Sequence, residues 1–133
     1  MAQDLISFLA ENPIENLQHE IKLGGRLKEF TFKIKPMSGK QFYDYQKIAT
    51  KLGTNKSLEF NTAKFNELVV LNHLVEPNLR NVELLSSLNV ATPEQCLYKY
   101  FLGGELVELA EKISEISGFN TTDKELEDEV KNS

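Results

Sequence analysis

The sequence predicts an α+β fold in which an N-terminal antiparallel β-hairpin packs on a bundle of about four to five helices. Apolar and polar residues alternate at a period of two between positions 17 and 35, which is typical of half-buried strands. Several segments between 38 and 119 instead repeat apolar residues at helical spacing. The chain has 133 residues, 41% of them hydrophobic and 26% charged, and this is a normal mixture for one soluble domain with a single core.

The composition also suggests how the chain is divided. We expect one globular domain over residues 1–119, followed by an acidic tail over 120–133 that has too few large apolar groups to fold by itself. Within the domain, residues 1–16 form an N-terminal arm or short helix, residues 17–35 the hairpin, and residues 38–119 the helical part.

The hairpin has one predicted apolar face. Gly24 and Gly25 between its strands are available for the positive φ angles of a tight connection. An isolated hairpin is marginally stable in water, so its apolar face should lie on the helices. The residues of that face are Ile21, Leu23, Phe30, Phe32 and Ile34.

The central segment 61–77 is the one that the other elements should cover. Its second half is apolar nearly all round, which is typical of a buried helix. Asn61 or Thr62 can cap its N-terminus, and Pro77 stops it. Ahead of it, Ser38 and Gln41 form a capping-box pattern that predicts a helix from about Gly39 to Leu52.

Further helix signals follow the central segment. Asn81 can cap a brief helical turn, and Thr92 with Pro93 at the first helical position opens a helix to about Phe101. Two glycines at 103 and 104 then break the chain before the last helix, from Glu105 to Ser117, which Gly118 caps. Four glutamates lie largely opposite its apolar stripe and are expected to form a solvated face: Glu105, Glu108, Glu111 and Glu115.

Catalytic and metal-binding chemistry have no support in the sequence. No phosphate-binding glycine motif, nucleophile elbow or paired-histidine metal motif occurs, and neither His19 nor His73 has a second ligand at metal spacing. Cys96 is the single cysteine, which excludes an internal disulfide and agrees with a reducing compartment. We therefore expect no enzyme activity, cofactor or metal. We also expect no membrane span, because no run of 18 apolar residues exists.

Charge is distributed unevenly along the chain, although the net charge is only −5. Residues 17–56 carry nine bases and three acids, whereas residues 105–133 carry three bases and nine acids. Such polarity can steer charged partners or pair the two ends of the chain with each other. The bases Lys22, Arg26, Lys28, Lys33 and Lys35 alternate with aromatic residues, so nucleic-acid binding by the hairpin is an alternative function. Against it, Phe30 and Phe32 are needed for the core, and the sequence pI is about 5.1.

The order of these signals resembles the XkdN-like tail assembly chaperones of long-tailed phages, prophages and phage-derived tail particles of Gram-positive bacteria. The resemblance spans most of the chain, from the Phe32-Lys33-Ile34 strand to the C-terminus. Its parts are the helix Phe65 to Val75, then Pro77, Leu79, Asn81, Glu83-Leu84, Leu88, Val90, Thr92-Pro93, Phe101-Leu102, Gly104-Glu105, Leu109, Ile113, Gly118-Phe119 and Glu129-Val130-Lys131-Asn132. Gly103 and Ser117 depart from it, since a proline and an asparagine often stand there in the family.

The resemblance implies a protein without catalysis that works in the bacterial host cytoplasm. Such a protein binds the long helical tape-measure protein, keeps it soluble, helps recruit tail-tube subunits and leaves before the tail is complete. A structural tail component is a further alternative, and the sequence leaves open whether the chain forms a homo-oligomer.

A tape-measure protein exposes apolar helical stripes before the tail tube covers them, so its chaperone needs an apolar groove. We expect that groove between the last helix and its neighbours, with the acidic tail at its rim. The same residues could equally only fill the core. The candidate partner contacts are Leu106, Leu109, Ile113, Ile116 and Phe119.

Overall fold

A computed structural model describes residues 2–52 and 57–119 of the chain. The predicted tail over 120–133 lies outside these residues. The described part contains six α-helices: α1 (Ala2–Glu11), α2 (Gly39–Ala49), α3 (Thr62–His73), α4 (Val82–Ser87), α5 (Pro93–Tyr100) and α6 (Gly103–Ile116). It contains five short strands: β1 (His19–Lys22), β2 (Thr31–Ile34), β3 (Thr50–Leu52), β4 (Leu58–Phe60) and β5 (Leu74–Glu76).

The predicted α+β class and the antiparallel hairpin are confirmed. Strands β1 and β2 pair with Ile21 opposite Phe32. Their connection is longer than the expected tight turn, because a short 3₁₀ helix over Gly25–Leu27 occupies it, with Gly25 at a φ of 72°. Phe30 was predicted to face the core, but it is exposed. It lies in this connection, where its N–H bonds to the carbonyl of Leu27 rather than to the sheet.

Two strands replace the ends of predicted helices. The central helix α3 ends at His73, and β5 follows it and pairs antiparallel with β2, which makes a sheet of order β1-β2-β5. Helix α2 ends at Ala49 rather than near position 52, because β3 turns away to pair with β4. In both places strand pairing satisfies backbone groups that helix continuation would otherwise have satisfied.

The core forms around α3, which packs against both α2 and α6. Its residues Val69 and Val70 are fully buried, as are Leu109 and Ile113 of α6 and Ile34 of β2. The prediction that the second half of the central helix is buried is therefore confirmed for Val69, Val70, Leu71 and His73, whereas Asn72 is exposed.

The predicted helix starts are also confirmed. Gln41 N donates to Ser38 Oγ over 3.2 Å, Lys64 N to Asn61 Oδ1 over 3.0 Å, and Gln95 N to Thr92 Oγ1 over 3.1 Å. The glycines at 103 and 104 do not break the chain as expected but form the first turn of α6. That start is stabilised by Leu102 N, which donates to Glu105 Oε1 over 2.7 Å.

A buried polar pair joins α2 to the end of α3. The Tyr45 hydroxyl lies 2.8 Å from His73 Nε2 in a hydrogen bond, and the His73 side chain is fully buried. Within the described residues, His73 Nδ1 has no hydrogen-bond partner. Burial and, to a smaller extent, the positive charge of Lys35 lower the pKa of His73 to about 4. The backbone groups of Lys35 and Pro36 act in the opposite direction and raise this pKa.

A second polar contact ties the hairpin connection to α6. Arg26 Nε and Nη2 each donate to one carboxylate oxygen of Glu105 over 2.9 Å. The Glu105 side chain is buried, so the expectation of four solvated glutamates is wrong for this residue. Glu108 is also engaged, because both its carboxylate oxygens accept from Gly24 N at 3.2 Å. The Arg26–Glu105 pair therefore joins the basic segment 17–56 to the acidic segment 105–133.

Acid should destabilise the fold through His73. The folded state holds this pKa near 4, below the unfolded value of about 6.5, so the unfolded state binds more protons between these pH values. We expect the free energy of unfolding to fall from pH 6.5 towards pH 4, by roughly 3 kcal/mol from this residue. Denaturant titrations of wild type and His73→Gln at a series of pH values check this. Equal pH slopes in the two proteins, or an NMR titration of the His73 ring near its ordinary pKa, contradict it.

Removing Arg26 should destabilise the fold at neutral pH. Arg26→Met keeps the aliphatic stem but leaves the buried Glu105 carboxylate without its guanidinium. We expect a loss of about 1–2 kcal/mol, less than for a fully buried pair because half of the Arg26 side chain is exposed.

The control is Lys40→Met, which breaks the exposed Lys40–Asp44 pair and should change stability little. Hydrogen bonding from Arg26 lowers the pKa of Glu105, so the contribution is present above about pH 4.5 and is lost as pH falls through the lower folded pKa. Arg26→Met and wild type should therefore converge in acid. Equal stability of all three proteins at neutral pH would contradict the assignment.

Candidate partner-binding site

The five predicted contact residues do not form one continuous surface. Leu109 and Ile113 are fully buried in the core, and Leu106 and Ile116 are half-buried against it. Phe119 is 39% exposed beyond the C-terminal end of α6. A role of these five residues in binding a partner stays a prediction. Leu109 and Ile113 face inward, whereas the other three lie nearer the surface.

A shallow groove does lie between α6 and its neighbours α3 and α5. Its volume is about 170 Å³, and Leu106 and Val107 of α6 line it together with Ala63 and Tyr98. The Tyr98 hydroxyl donates to Glu67 Oε1 over 3.0 Å across the groove, and burial together with Glu67 raises the pKa of Tyr98. This groove has room for only a few side-chain atoms of a partner.

A second feature is a series of four phenylalanine rings in contact, contributed by elements far apart in the chain. Ring centroids are 5.4 Å apart for Phe60 and Phe65, 5.9 Å for Phe65 and Phe42, and 4.5 Å for Phe42 and Phe119. We call Phe60, Phe65, Phe42 and Phe119 the aromatic row. It joins β4, α3, α2 and the end of α6. Gly118, with a φ of 98°, ends α6 and directs the chain so that Phe119 reaches α2.

The two ends of the aromatic row are open to solvent. Phe60 is 49% exposed, and Phe119 39%. Tyr43 packs edge-on against Phe42 and is exposed, as is Leu58, which lies on the same side of β4 as Phe60. Large apolar side chains exposed together commonly mark an interaction surface.

On another part of the surface lies an apolar cleft with a volume of about 480 Å³. It is formed by the β1–β2 connection, the segment after β5, α4 and α5. We call it the apolar cleft; its apolar lining includes Leu27, Phe30, Leu79, Leu84, Leu88 and Tyr100.

Arg26 fixes one wall of the apolar cleft. Besides its bonds to Glu105, its Nη2 donates to the carbonyl oxygen of Tyr100 over 2.8 Å. Cys96 also lines the cleft but is almost fully buried, and burial raises the pKa of its thiol. Its environment is that of a packing residue rather than a nucleophile.

Helix α1 is a third apolar surface. Every side chain from Asp4 to Asn12 is exposed, and none of these residues belongs to the core or packs on it. Four large apolar side chains on this helix are 58%, 64%, 61% and 59% exposed: Leu5, Ile6, Phe8 and Leu9.

Two of the five hairpin bases that suggested nucleic-acid binding lie close to acids. Arg26 is occupied by Glu105, and Lys33 Nζ lies 3.8 Å from Glu76 Oε1. Over 2–52 and 57–119 there is no group of three or more His, Cys, Asp or Glu placed to hold a metal ion. In the same part of the chain, no helix is long and apolar enough to cross a membrane.

Sequence patterns missed the aromatic row and the apolar cleft because each is assembled from elements far apart in the chain. The exposed apolar residues of α1 lie in the segment that the sequence predicts as an arm or short helix, and the sequence does not tell whether a helix face is covered.

Two comparisons bear on identity. The sequence model of the phage XkdN-like tail assembly chaperone proteins matches residues 5–131. A crystal structure of the protein YqbN is similar with a TM-score of 0.54 and 21% sequence identity, covering 77% of this chain and 86% of that one. At this identity the likeness shows the fold alone. No curated protein sequence matches significantly.

The family match extends over the hairpin, the helical part and the aromatic row, and reaches beyond the described residues into the acidic tail. It agrees with the resemblance drawn from the ordered sequence signals and supports a role in tail assembly. This chain belongs to the family of phage XkdN-like tail assembly chaperones.

Proposed function

We propose that this chaperone binds the tape-measure protein in the cytoplasm of the bacterial host, keeps it soluble and helps bring tail-tube subunits to it, without catalysis. The observation that carries the proposal is the aromatic row, with its exposed end rings Phe60 and Phe119, on a member of a tail assembly chaperone family.

The aromatic row offers an apolar surface of the kind that binds a helix. Phe60 and Phe119 are exposed at its ends, and Phe42 and Phe65 between them are half-buried against the core. A partner helix would place apolar side chains against the two end rings and the exposed Leu58. This is the helix-in-groove mode of recognition, in which apolar residues at i, i+3 or i+4, and i+7 are the anchors.

This placement modifies the predicted groove without opening the core. Of the five predicted residues, Phe119 belongs to the aromatic row, and Ile116 lies half-buried one turn before it on α6. Leu109 and Ile113 support the helix from inside. We therefore place the partner at the C-terminal end of α6 and across α2 and β4, rather than along the whole of α6.

The direct experiment is co-expression with the tape-measure protein from the same genome, scoring its solubility and co-purification at low and high salt. Apolar contacts predict rescue that survives high salt. If the protein instead binds nucleic acid through the hairpin, affinity for DNA or RNA should fall steeply with salt and no rescue should occur. Presence in finished tails would instead identify a structural component.

Charged side chains at the two exposed ends of the aromatic row, at Phe119 and at Leu58 beside Phe60, should abolish the rescue. We expect Leu58→Glu combined with Phe119→Glu to remove most of the co-purifying tape-measure protein, because the carboxylates would be desolvated against an apolar helix. The matched control is Val82→Glu in α4, since Leu58 and Val82 are 76% and 78% exposed.

Both the double variant and the control should keep the wild-type unfolding midpoint within a few degrees. Undiminished rescue by the double variant would show that the partner binds elsewhere.

A further inference from the structure

Helix α1 and the apolar cleft are two unfilled apolar surfaces of the same chain. Leu5, Ile6, Phe8 and Leu9 lie on one face of α1, while Ser7 and Glu11 lie on the opposite face. An uncovered helix of this length has little stability in water, because most helical stability in proteins comes from packing of an apolar face. Some surface must therefore cover it.

The apolar cleft has the right chemistry and size to receive α1. Its volume of about 480 Å³ lies within the range of about 300–1,000 Å³ for sites that enclose several side chains or a small ligand. Phe30, Leu84 and Leu88 present apolar groups into it. Neither surface depends on the aromatic row, which belongs to other residues.

We propose that two copies of this chain form a symmetric dimer in which α1 of each copy docks in the apolar cleft of the other. One chain carries both halves of the contact, so the exchange can be reciprocal and close on itself. The segment 12–18 between α1 and β1 is exposed throughout except for the half-buried Pro13, which leaves it able to adjust the direction of α1.

The surface area that this reciprocal contact would bury is that of a stable dimer. Four large side chains that are about three-fifths exposed offer on the order of 400 Å² per helix. Two such helices, together with the cleft surface that they cover, give a total of about 1,600 Å², the usual size of a specific protein–protein interface. A single unreciprocated contact would bury only half as much.

Charge assists the same arrangement. Helix α1 carries Glu11 and no base in its last turn. Lys28 follows the cleft residue Leu27, and Lys99 lies with its Nζ 5.6 Å from the ring centre of the cleft residue Tyr100. Of the acids on this side, Glu76 is already within 3.8 Å of Lys33.

The test is the mass of the purified full-length protein by sedimentation or light scattering, from low micromolar concentration upwards. The wild type should have the mass of two chains. Leu5→Ser combined with Phe8→Ser should shift the dissociation constant at least tenfold towards monomer, and Phe30→Ser in the cleft should shift it in the same direction. Ile48→Ser combined with Val82→Ser, which changes exposed apolar residues outside both surfaces, should leave the dimer intact.

If the wild type is a monomer at every concentration, the proposal is overturned. That result would also be obtained if α1 folded into the cleft of its own chain. A dimer unaffected by the α1 and cleft variants overturns it too. A disulfide between copies carrying Leu9→Cys and copies carrying Phe30→Cys, both in a Cys96→Ser background, should form on mixing. The inference goes beyond the proposed function: it concerns the protein alone and can fail or hold whatever happens to tape-measure rescue.

Discussion

The burial of the second half of α3 is the constraint that orders the rest of the structure. A helix whose Val69, Val70 and Leu71 are all buried needs partners in several directions, and α2 and α6 supply two of them. The chain leaving α3 at His73 runs straight into β5, which adds the third strand to the hairpin. The sheet is thereby attached to the helices through backbone hydrogen bonds as well as apolar packing. The Tyr45–His73 bond fixes α2 at the same corner.

Local signals predicted the helix starts well because capping is a local interaction. Ser38, Asn61, Asn81 and Thr92 each accept from backbone N–H groups two or three residues later, and no distant part of the chain is needed for that. The predicted helix ends were wrong where strand pairing between distant segments determines the end of the helix. Nothing near Val75 in sequence shows that Ile34 will pair with Leu74, and this pairing is what converts the last predicted turn of α3 into a strand.

For a related reason, the sequence does not show which of the candidate contact residues reach the surface. An apolar stripe on α6 shows that one face is covered, but the same pattern serves a core and a partner site equally. In the structure Leu109 and Ile113 face α3, whereas Phe119 reaches α2 only because Gly118 turns the chain. The aromatic row depends on four elements meeting. Likewise, the spacing of the glutamates of α6 predicts a solvated face. Glu105 is instead buried because Arg26, which is distant in sequence, lies beside it in the structure and donates to its carboxylate.

The exposed area of the aromatic row limits how tightly one copy can hold a helix. Burying a large apolar side chain completely contributes about 1.5–3 kcal/mol, and the end rings are only about half exposed, so Phe60 and Phe119 contribute about 1 kcal/mol each. Leu58 and Tyr43 raise the total to only a few kcal/mol, which is comparable to the cost of association itself. A single contact of the proposed kind would therefore be weak and easily reversed. Two aromatic rows carried by one dimer would instead bind a long helix at two places. Once the first row is bound, the second contact would form at a high effective concentration. The strength of binding would then depend on self-association rather than on a larger groove.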